Sequence, residues 1–171
     1  GEAEGKKVQT LKRVISAGAP VPAPTMKRWH SMMPEDGEIL PPYGATESLP
    51  VACISSRDIL SETWKKTEEG FGVCVGKPFE ELDVAIIPIS DQPIADFNDD
   101  LRLDPEEIGE ICVSGAVVTD QYWNTEEHNA LGKMKGEDGI WHRMGDLGYF
   151  DSEGRLWFCG RKAHRVQIGS K

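Results

Sequence analysis

The sequence predicts an α+β fold in which an α/β edge of strand, helix and strand is followed by a small antiparallel β-barrel. Three observations predict it. The 171 residues include 18 glycines and 11 prolines, so turns are frequent and short strands are favoured over long helices. Apolar residues follow a helical spacing near the start of the chain and alternate with a period of two after Phe71. A composition of 39% hydrophobic and 28% charged residues is typical of a folded globular domain.

The charge balance restricts the class of partner. Nineteen basic and 29 acidic residues give a net charge of −10, which repels nucleic acids, so we expect no nucleic-acid partner. The sum does not exclude a nucleotide pocket with local positive charge. No apolar run approaches the ~20 residues that cross a bilayer, so we expect no membrane span. Cys53, Cys74, Cys112 and Cys159 lack Cys-x-x-Cys spacing, which is typical of reduced thiols in a cytoplasmic protein.

The first part of the chain predicts the strand–helix–strand edge. Residues 11–16 form a short apolar run that ends at a glycine turn, which indicates a buried strand. Residues 25–33 carry Met and Trp at helical spacing after two prolines, and proline is tolerated in a first helical turn. Residues 39–40 indicate a second strand that runs into a turn at Tyr43-Gly44. Such an edge leaves apolar faces uncovered, so we expect the chain to be a piece of a larger protein.

The rest of the chain predicts the antiparallel strands. Apolar residues alternate in several short runs, which favours a small barrel. The predicted runs lie at 82–86, 111–113, 141, 147–150 and 156–158, and a turn at 151–154 joins the last two as a hairpin. The acidic, proline-bearing residues 91–107 predict a solvated loop, and residues 126–131 predict a short helix.

Residues 16–20 (SAGAP) form the first of three clusters that could carry chemistry. Small residues at a strand end let a flat ring lie against the backbone, whose N–H and C=O groups can bind the edge of the ring. A plain strand-to-helix turn explains the same residues. Taken alone, this motif favours that simpler interpretation.

The second cluster, residues 41–48 (PPYGATES), follows the second predicted strand. Tyr43 could stack on a base and Thr46 could donate to a phosphate oxygen. Glu47 could hold Mg²⁺, which binds one or two carboxylates together with the phosphate oxygens of a substrate. In the alternative, Thr46 caps a helix and Glu47 is a favourable charge in its first turn. The motif alone does not decide between the two.

The third cluster spans residues 141–166. Asp146 lies between a glycine and a strand, where its two oxygens could accept both hydroxyls of a ribose. Arg161 follows Gly160 and could bind the same sugar or a phosphate with its planar guanidinium group. By itself, this cluster is explained more simply as a hairpin with a surface aspartate and a basic exit segment.

Together and in this order, the three clusters resemble the adenylate-forming superfamily of acyl-CoA synthetases, peptide-synthetase adenylation domains and luciferases. The resemblance covers residues 11–166. Its motifs are YGATE (43–47), which is among the more specific signatures of the superfamily, GEICVSGAVVTDQYWN (109–124), GDLGYFDSEG (145–154) and GRK (160–162). Within the superfamily, PPYGATESLPV, YWN, WHRMGDLGY and RLWFCGRKAHRV look most like the β-lactone synthetases of bacterial long-chain olefin biosynthesis.

The resemblance implies an AMP-forming ligase that uses ATP and Mg²⁺ to convert a small-molecule carboxylic acid into an acyl-adenylate. In the nearest subfamily, a long-chain β-hydroxy acid would then close to a β-lactone. Glu47 would hold the magnesium and act in catalysis with Thr46, while Gly44 and Ala45 would border the acyl pocket. The implied nucleotide contacts are Gly18, Ala19 and Pro20 beside adenine, Tyr43 on the purine, Thr46 at the phosphates, Asp146 on the ribose and Arg161 near the sugar and α-phosphate.

Two positions depart from the superfamily pattern. Met144 precedes the Gly-Asp pair where a Thr or Ser is usual. Ala163 replaces the usual hinge aspartate, which puts in doubt the domain rotation that serves a thioester-forming step. The resemblance also implies an upstream phosphate loop and a C-terminal domain with a catalytic lysine. These parts of the parent chain are the expected partners, and we expect this piece alone to be inactive.

We expect a disordered N-terminus at 1–10, an α/β portion at 11–70 and a β-barrel portion at 71–162. Residues 163–171 are expected to form a hinge and the start of a missing C-terminal domain. Two alternatives for the function stay open. One is a fatty acyl-CoA synthetase that forms a thioester, and the other is a β-rich binding module without a nucleotide site. The binding module predicts that Tyr43, Asp146 and Arg161 lie apart, whereas a nucleotide site requires that they share one cleft.

Overall fold

The first layer of the fold is the α/β edge. The computed structural model describes residues 7–166, so expectations for residues 1–6 and 167–171 lie outside the described part. β1 (Arg13–Ile15) and β2 (Glu38–Leu40) pair in parallel, and α1 (Ala23–Met32) connects them. α1 has a proline in its first turn, where the missing N–H costs no hydrogen bond. The predicted order of strand, helix and strand is confirmed.

α1 buries its apolar side in a core cluster. Met26 of α1 lies there with Ile39 of β2 and with Trp157. β1 contributes little, because Val14 packs against the cluster while Ile15 is 72% exposed. The predicted burial of the first strand is therefore wrong for the described chain, since a short edge strand that is paired on one side has few neighbours to cover it.

The second part of the fold is an antiparallel sheet of eight strands. Its strands are β3 (Tyr43–Ala45), β4 (Ser48–Cys53), β5 (Val73–Pro78), β6 (Leu82–Ile87), β7 (Gly109–Gly115), β8 (Lys133–Lys135), β9 (Ile140–Phe150) and β10 (Leu156–Arg161). Hydrogen bonds join them in the order β3-β4-β5-β10-β9-β7-β6, with β8 on β9. The mixed fold class, the antiparallel strands and the β9–β10 hairpin are confirmed. Among the described residues no pairing joins β3 to β6, so the sheet is open.

The stretch from β3 to β5 differs most from the expectation. Tyr43 and Gly44 lie in β3 and not in a turn, and β4 pairs with both β3 and β5. A helical stretch that the sequence did not predict then runs through α2 (Ser56–Asp58), a π-helical segment (Ile59–Thr63) and α3 (Trp64–Glu68). Its first turn is capped by the Ser55 hydroxyl, which accepts the Arg57 N–H.

Residues 91–107 form more than the predicted solvated loop. Ile94, Phe97 and Leu101 pack against a buried cluster, and the Phe97 ring stacks on Trp141 with centroids 3.8 Å apart. These apolar residues anchor an otherwise acidic segment to the sheet. The predicted short helix is present as α4 (Glu126–Gly132).

A buried ionic network ties together the strands that carry two of the predicted site residues. The Glu110 carboxylate of β7 accepts hydrogen bonds from Arg143 of β9 at 2.7 Å and from Lys162 at 2.8 Å. The side chains of Glu110 and Arg143 are almost completely enclosed. Asp146 lies three residues after Arg143, and Arg161 directly precedes Lys162, so this network fixes the backbone on both sides of the site.

The four cysteines are free thiols, with Cys74 and Cys112 buried, Cys53 partly buried and Cys159 exposed. Burial raises the pKa of the Cys74 thiol, and a thiol that stays protonated is a poor nucleophile. In the described part of the chain, no helix has the length and apolar character that crossing a membrane requires.

Candidate functional site

Side chains from three strands meet at one carboxylate. The Tyr43 hydroxyl of β3 donates to Oδ2 of Asp146 in β9 at 2.7 Å. A guanidinium nitrogen of Arg161, at the end of β10, donates to Oδ1 of the same carboxylate at 2.9 Å. Tyr43 and Asp146 are 103 positions apart in the sequence, and three strands lie between β3 and β9 in the sheet, so the tertiary fold brings these two side chains together.

The electrostatics of this trio depend on burial. The Asp146 side chain is buried and the Arg161 side chain is about half exposed. Burial raises the pKa of Asp146, while the Tyr43 hydroxyl and the Arg161 charge oppose that rise. Burial, followed by the adjacent Asp146 carboxylate, raises the pKa of Tyr43 well above its ordinary value. The Tyr43 hydroxyl therefore stays protonated and remains a hydrogen-bond donor at neutral pH.

The trio lies on the wall of a cavity of about 160 Å³. Gly18, Ala19 and Pro20 line the same cavity from the turn after β1, and Gly44 lines it beside Tyr43. Gly18 has a φ of +98°, a conformation that glycine adopts at low cost. The cavity thus gathers residues from all three sequence clusters. The alternative of a β-rich binding module predicted that Tyr43, Asp146 and Arg161 lie apart, and their convergence does not support it.

The apolar wall of the cavity was missed in the sequence. Met26 and Phe158 form part of it, together with Ile59, Thr63 and Thr67. The last three recur at intervals of four residues, which places them along one helix face. Ile59 and Thr63 belong to the π-helical segment, a helix form that often marks functional sites. The four-residue spacing is the signal that could have identified this wall.

Three predicted site residues lie outside the cavity lining. Ala45 packs against the core of the sheet, and Thr46 and Glu47 form the two-residue turn between β3 and β4. The helix-cap interpretation of Thr46 and Glu47 is therefore wrong, because a strand follows them. Thr46 is exposed and Glu47 is partly buried. Tyr43 and Glu47 accordingly belong to one hairpin, with Tyr43 at the cavity and Glu47 at the turn.

Glu47 has the properties of a ligand for a hard divalent cation. The hydroxyl of Tyr122 donates to its Oε1 at 3.0 Å. Partial burial works to raise the pKa of Glu47, but hydrogen bonds from its backbone and from Tyr122 outweigh it and lower the pKa. Among the described residues, no group of three His, Cys, Asp or Glu side chains could hold a metal. A single ionised carboxylate fits Mg²⁺ only when phosphate oxygens and water complete the coordination shell.

The structure locates the two positions that depart from the superfamily pattern. Met144 is buried in a core cluster of the sheet, and its carbonyl accepts a hydrogen bond from Arg161 at 3.3 Å. Ala163 lies in a single 3₁₀ turn, Lys162–His164, directly after β10. The backbone at Met144 therefore helps to hold Arg161.

The chain is similar in sequence to known proteins over most of its length. Residues 1–123 match the family described as "AMP-binding enzyme". The olefin beta-lactone synthetase of Stenotrophomonas maltophilia (strain K279a) is 45% identical over 95% of this chain and 30% of that protein. Its counterpart in Xanthomonas campestris pv. campestris is 43% identical over 97% of this chain and 31% of that protein. The chain thus spans less than a third of the length of these relatives.

Solved structures share the fold. The unliganded o-succinylbenzoate coenzyme A synthetase of Bacillus subtilis superposes with a TM-score of 0.72 at 23% identity, over 99% of this chain and 32% of that chain. The same enzyme in complex with ATP and a magnesium ion gives a TM-score of 0.69 at 25% identity, over 98% of this chain and 30% of that chain.

Proposed function

The chain belongs to the family of AMP-binding enzymes, and from that membership we propose that it is the nucleotide-binding part of an ATP-dependent ligase that forms acyl-adenylates. The observation that carries the proposal is the convergence of Tyr43, Asp146 and Arg161 on the cavity beside the Gly18 turn. The two relatives named olefin beta-lactone synthetase support a β-hydroxy acid as the substrate, with closure to a β-lactone.

In the proposed complex, adenine lies against Gly18, Ala19 and Pro20, and the ring of Tyr43 stacks on the purine. The Asp146 carboxylate accepts hydrogen bonds from the two ribose hydroxyls. A carboxylate offers about four lone-pair positions, of which Tyr43 and Arg161 use one on each oxygen. Each oxygen therefore keeps capacity for one ribose hydroxyl, and Arg161 is left beside the sugar and the α-phosphate.

In this proposal, the turn of the β3–β4 hairpin binds the phosphates of ATP. The exposed Thr46 hydroxyl donates to a phosphate oxygen, and Glu47 holds Mg²⁺. Bound Mg²⁺ neutralises charge on the phosphate oxygens. Gly44 and Ala45 border the acyl group. At Gly44 a Cβ atom would lie 2.5 Å from the carbonyl oxygen of Ser48, so a side chain there would distort the hairpin.

The proposed reaction has two steps. First, a carboxylate oxygen of the acid attacks the α-phosphorus of ATP, and the bond to pyrophosphate breaks. Second, the β-hydroxyl of the same acid loses its proton and attacks the activated carbonyl carbon, and the bond to AMP breaks to leave a four-membered lactone. Both steps depend on positioning and on stabilisation of phosphate charge, which agrees with a site built from Tyr43, Asp146 and Arg161.

The organisation of the parent protein is also a proposal. We infer an α/β portion at 11–70, an antiparallel-sheet portion at 71–162 in place of the expected barrel, and a hinge with the start of the next domain at 163–171. A phosphate loop and a lysine-bearing domain are supplied by other parts of the parent chain. The proposed setting is the cytoplasm. Since those parts are needed for turnover, the isolated piece is expected to be inactive.

The experiment combines the full-length protein with ATP, Mg²⁺ and a long-chain β-hydroxy acid, with and without coenzyme A. We expect pyrophosphate and AMP to appear in equal amounts and mass spectrometry to detect the β-lactone in both cases. The matched control is the acid without its β-hydroxyl group, which should release pyrophosphate but yield no lactone. A product formed only with coenzyme A would establish the thioester alternative. Absence of pyrophosphate with every acid tested would rule out the ligase.

A further inference from the structure

Tyr122 contacts the Glu47 carboxylate from a different part of the chain, 75 positions away. It lies between β7 and α4, and none of the nucleotide contacts described above involves it. We propose that Tyr122 is a positioning residue for Glu47, with its hydroxyl fixing Oε1 so that the other oxygen is available to the divalent cation. This inference rests on the proposed function, because it takes Glu47 as the ligand of the cation.

The backbone of Tyr122 is held on both sides by one side chain. The N–H of Tyr122 donates to Oδ1 of Asn129 at 2.6 Å, and Nδ2 of Asn129 donates to the Tyr122 carbonyl at 3.1 Å. Asn129 belongs to α4, whose first turn is capped by Thr125. The helix thus anchors the position from which the Tyr122 ring extends.

The ring of Tyr122 is supported by two buried side chains. The ammonium group of Lys133 lies 5.5 Å from the centroid of the ring, and the His142 ring approaches edge-on with centroids 6.3 Å apart. Lys133 is itself fixed by the side-chain hydroxyl of Thr119 at 3.0 Å, and Nδ1 of His142 lies 3.0 Å from the Gly132 carbonyl oxygen. The ring therefore has little freedom to carry its hydroxyl away from Glu47.

The same segment also fixes the backbone of Glu47. The N–H of Thr119 donates to the Glu47 carbonyl at 2.8 Å, and Val118 forms an isolated bridge with Ser48. Carboxylate and hydroxyl are thus held relative to each other by three residues of one segment. A partner that holds one oxygen of a ligating carboxylate limits its rotation and orients the other oxygen, which is how outer-shell residues tune metal affinity.

The test measures cation binding directly in the full-length protein. Mn²⁺ replaces Mg²⁺ because it also prefers an octahedral shell of oxygen ligands, and electron paramagnetic resonance counts free Mn²⁺ in the presence of α,β-methylene-ATP. Tyr122→Phe keeps the ring contacts and removes the hydroxyl. We expect it to weaken Mn²⁺ binding about tenfold, while the affinity for AMP in EDTA is unchanged. Tyr149→Phe is the matched control, since it removes a hydroxyl that donates to the Phe71 carbonyl, and it should leave Mn²⁺ binding unchanged.

The Glu47→Gln variant distinguishes the proposed role of Glu47 as cation ligand from the proposed role of Tyr122 in positioning it. We expect it to weaken Mn²⁺ binding, and adding Tyr122→Phe to it should cause no further loss. If Glu47→Gln binds Mn²⁺ as the unmodified protein does, the cation assignment in the proposed function fails, and the role of Tyr122 fails with it. If Glu47→Gln weakens binding but Tyr122→Phe does not, only the positioning role is overturned. Equal losses of Mn²⁺ and AMP affinity in Tyr122→Phe would also overturn it, because they would indicate a general structural role.

Discussion

The buried carboxylate of Asp146 destabilises the folded protein, and the proposed binding of ribose gives a reason for its presence. A buried carboxylate loses hydration, and hydrogen bonds from Tyr43 and Arg161 recover only part of that loss, since the pKa of Asp146 is still raised. The folded state therefore favours the protonated form of Asp146 more than the unfolded chain does. At neutral pH the ionised group works against folding, while in the proposed complex it supplies the acceptors that a ribose requires.

This imbalance predicts opposite effects of Asp146→Asn on stability and on binding. The destabilising effect of ionised Asp146 is fully present at pH values above its raised pKa in the folded state, and it disappears as the pH falls towards 3.8, its ordinary value. Asp146→Asn should therefore raise the melting temperature at pH 7 relative to the unmodified protein, by a margin that shrinks on acidification. The affinity for AMP should fall about tenfold or more, because one strong acceptor is lost. Differential scanning fluorimetry across pH and calorimetric titration with AMP measure the two effects.

Asp91→Asn is the control of opposite sign. The hydrogen bond from Arg165 lowers the pKa of Asp91, so its ionised form favours folding above the ordinary pKa. Asp91→Asn should not raise the melting temperature at pH 7. The interpretation of Asp146 fails if Asp146→Asn is less stable than the unmodified protein at pH 7 and recovers at lower pH.

At the scale of elements, sequence patterns identified what depends on local spacing. α1, α4 and the β9–β10 hairpin have side chains whose periodicity or turn residues specify them directly. β3 and β4 are short, contain Gly44 and Pro50, and exist because each pairs with a neighbour. Pairing between distant segments leaves little trace in local composition. For the same reason, the packing of Phe97 on Trp141 was hidden within an acidic stretch.

The ionic network between β7 and β9 gives a prediction for these elements. Glu110→Gln preserves the shape of the side chain but leaves Arg143 and Lys162 without a buried countercharge. We expect a loss of about 3–5 kcal/mol in the free energy of unfolding, as for other buried pairs that lose one partner. Urea unfolding followed by tryptophan fluorescence measures it. As the control, Asp36→Asn breaks an exposed ion pair with Lys12 and should leave the urea concentration at the unfolding midpoint unchanged. Equal midpoints for the two variants would show that the network does not stabilise the fold.

At the scale of the whole molecule, the candidate site is a product of topology. The turn after β1 belongs to the α/β edge, whereas Asp146 and Arg161 belong to the antiparallel sheet, and one cavity joins them. The residue types in the three sequence clusters made these residues candidates, and the family resemblance decided in favour of a nucleotide site over the simpler interpretations. The sequence did not supply the apolar wall. The four-residue spacing of Ile59, Thr63 and Thr67 indicates a helix face, but these residues look like ordinary core until their neighbours across the cavity are known.

This topology predicts that AMP protects both parts of the molecule together. Hydrogen–deuterium exchange of the full-length protein should slow at residues 17–21, in β3 and at the end of β10. The AMP concentration that gives half of the protection should be the same for all three segments. At a hundredfold excess over Kd, binding adds about 2.7 kcal/mol to stability. The 3₁₀ turn Asp99–Leu101 does not line the cavity and should not respond at low AMP. Protection confined to one of the two parts would contradict a shared site.

The hairpin that carries both Tyr43 and Glu47 restricts how this protein can evolve. Successive residues of a strand alternate between its two faces and advance by about 3.3 Å each. An insertion of one residue between Tyr43 and the turn would send the aromatic ring to the opposite face or displace the acidic group along the strand. Descendants of this gene can therefore exchange side chains in the hairpin, but a change in its length would separate the proposed contact to the base from the proposed contact to the cation.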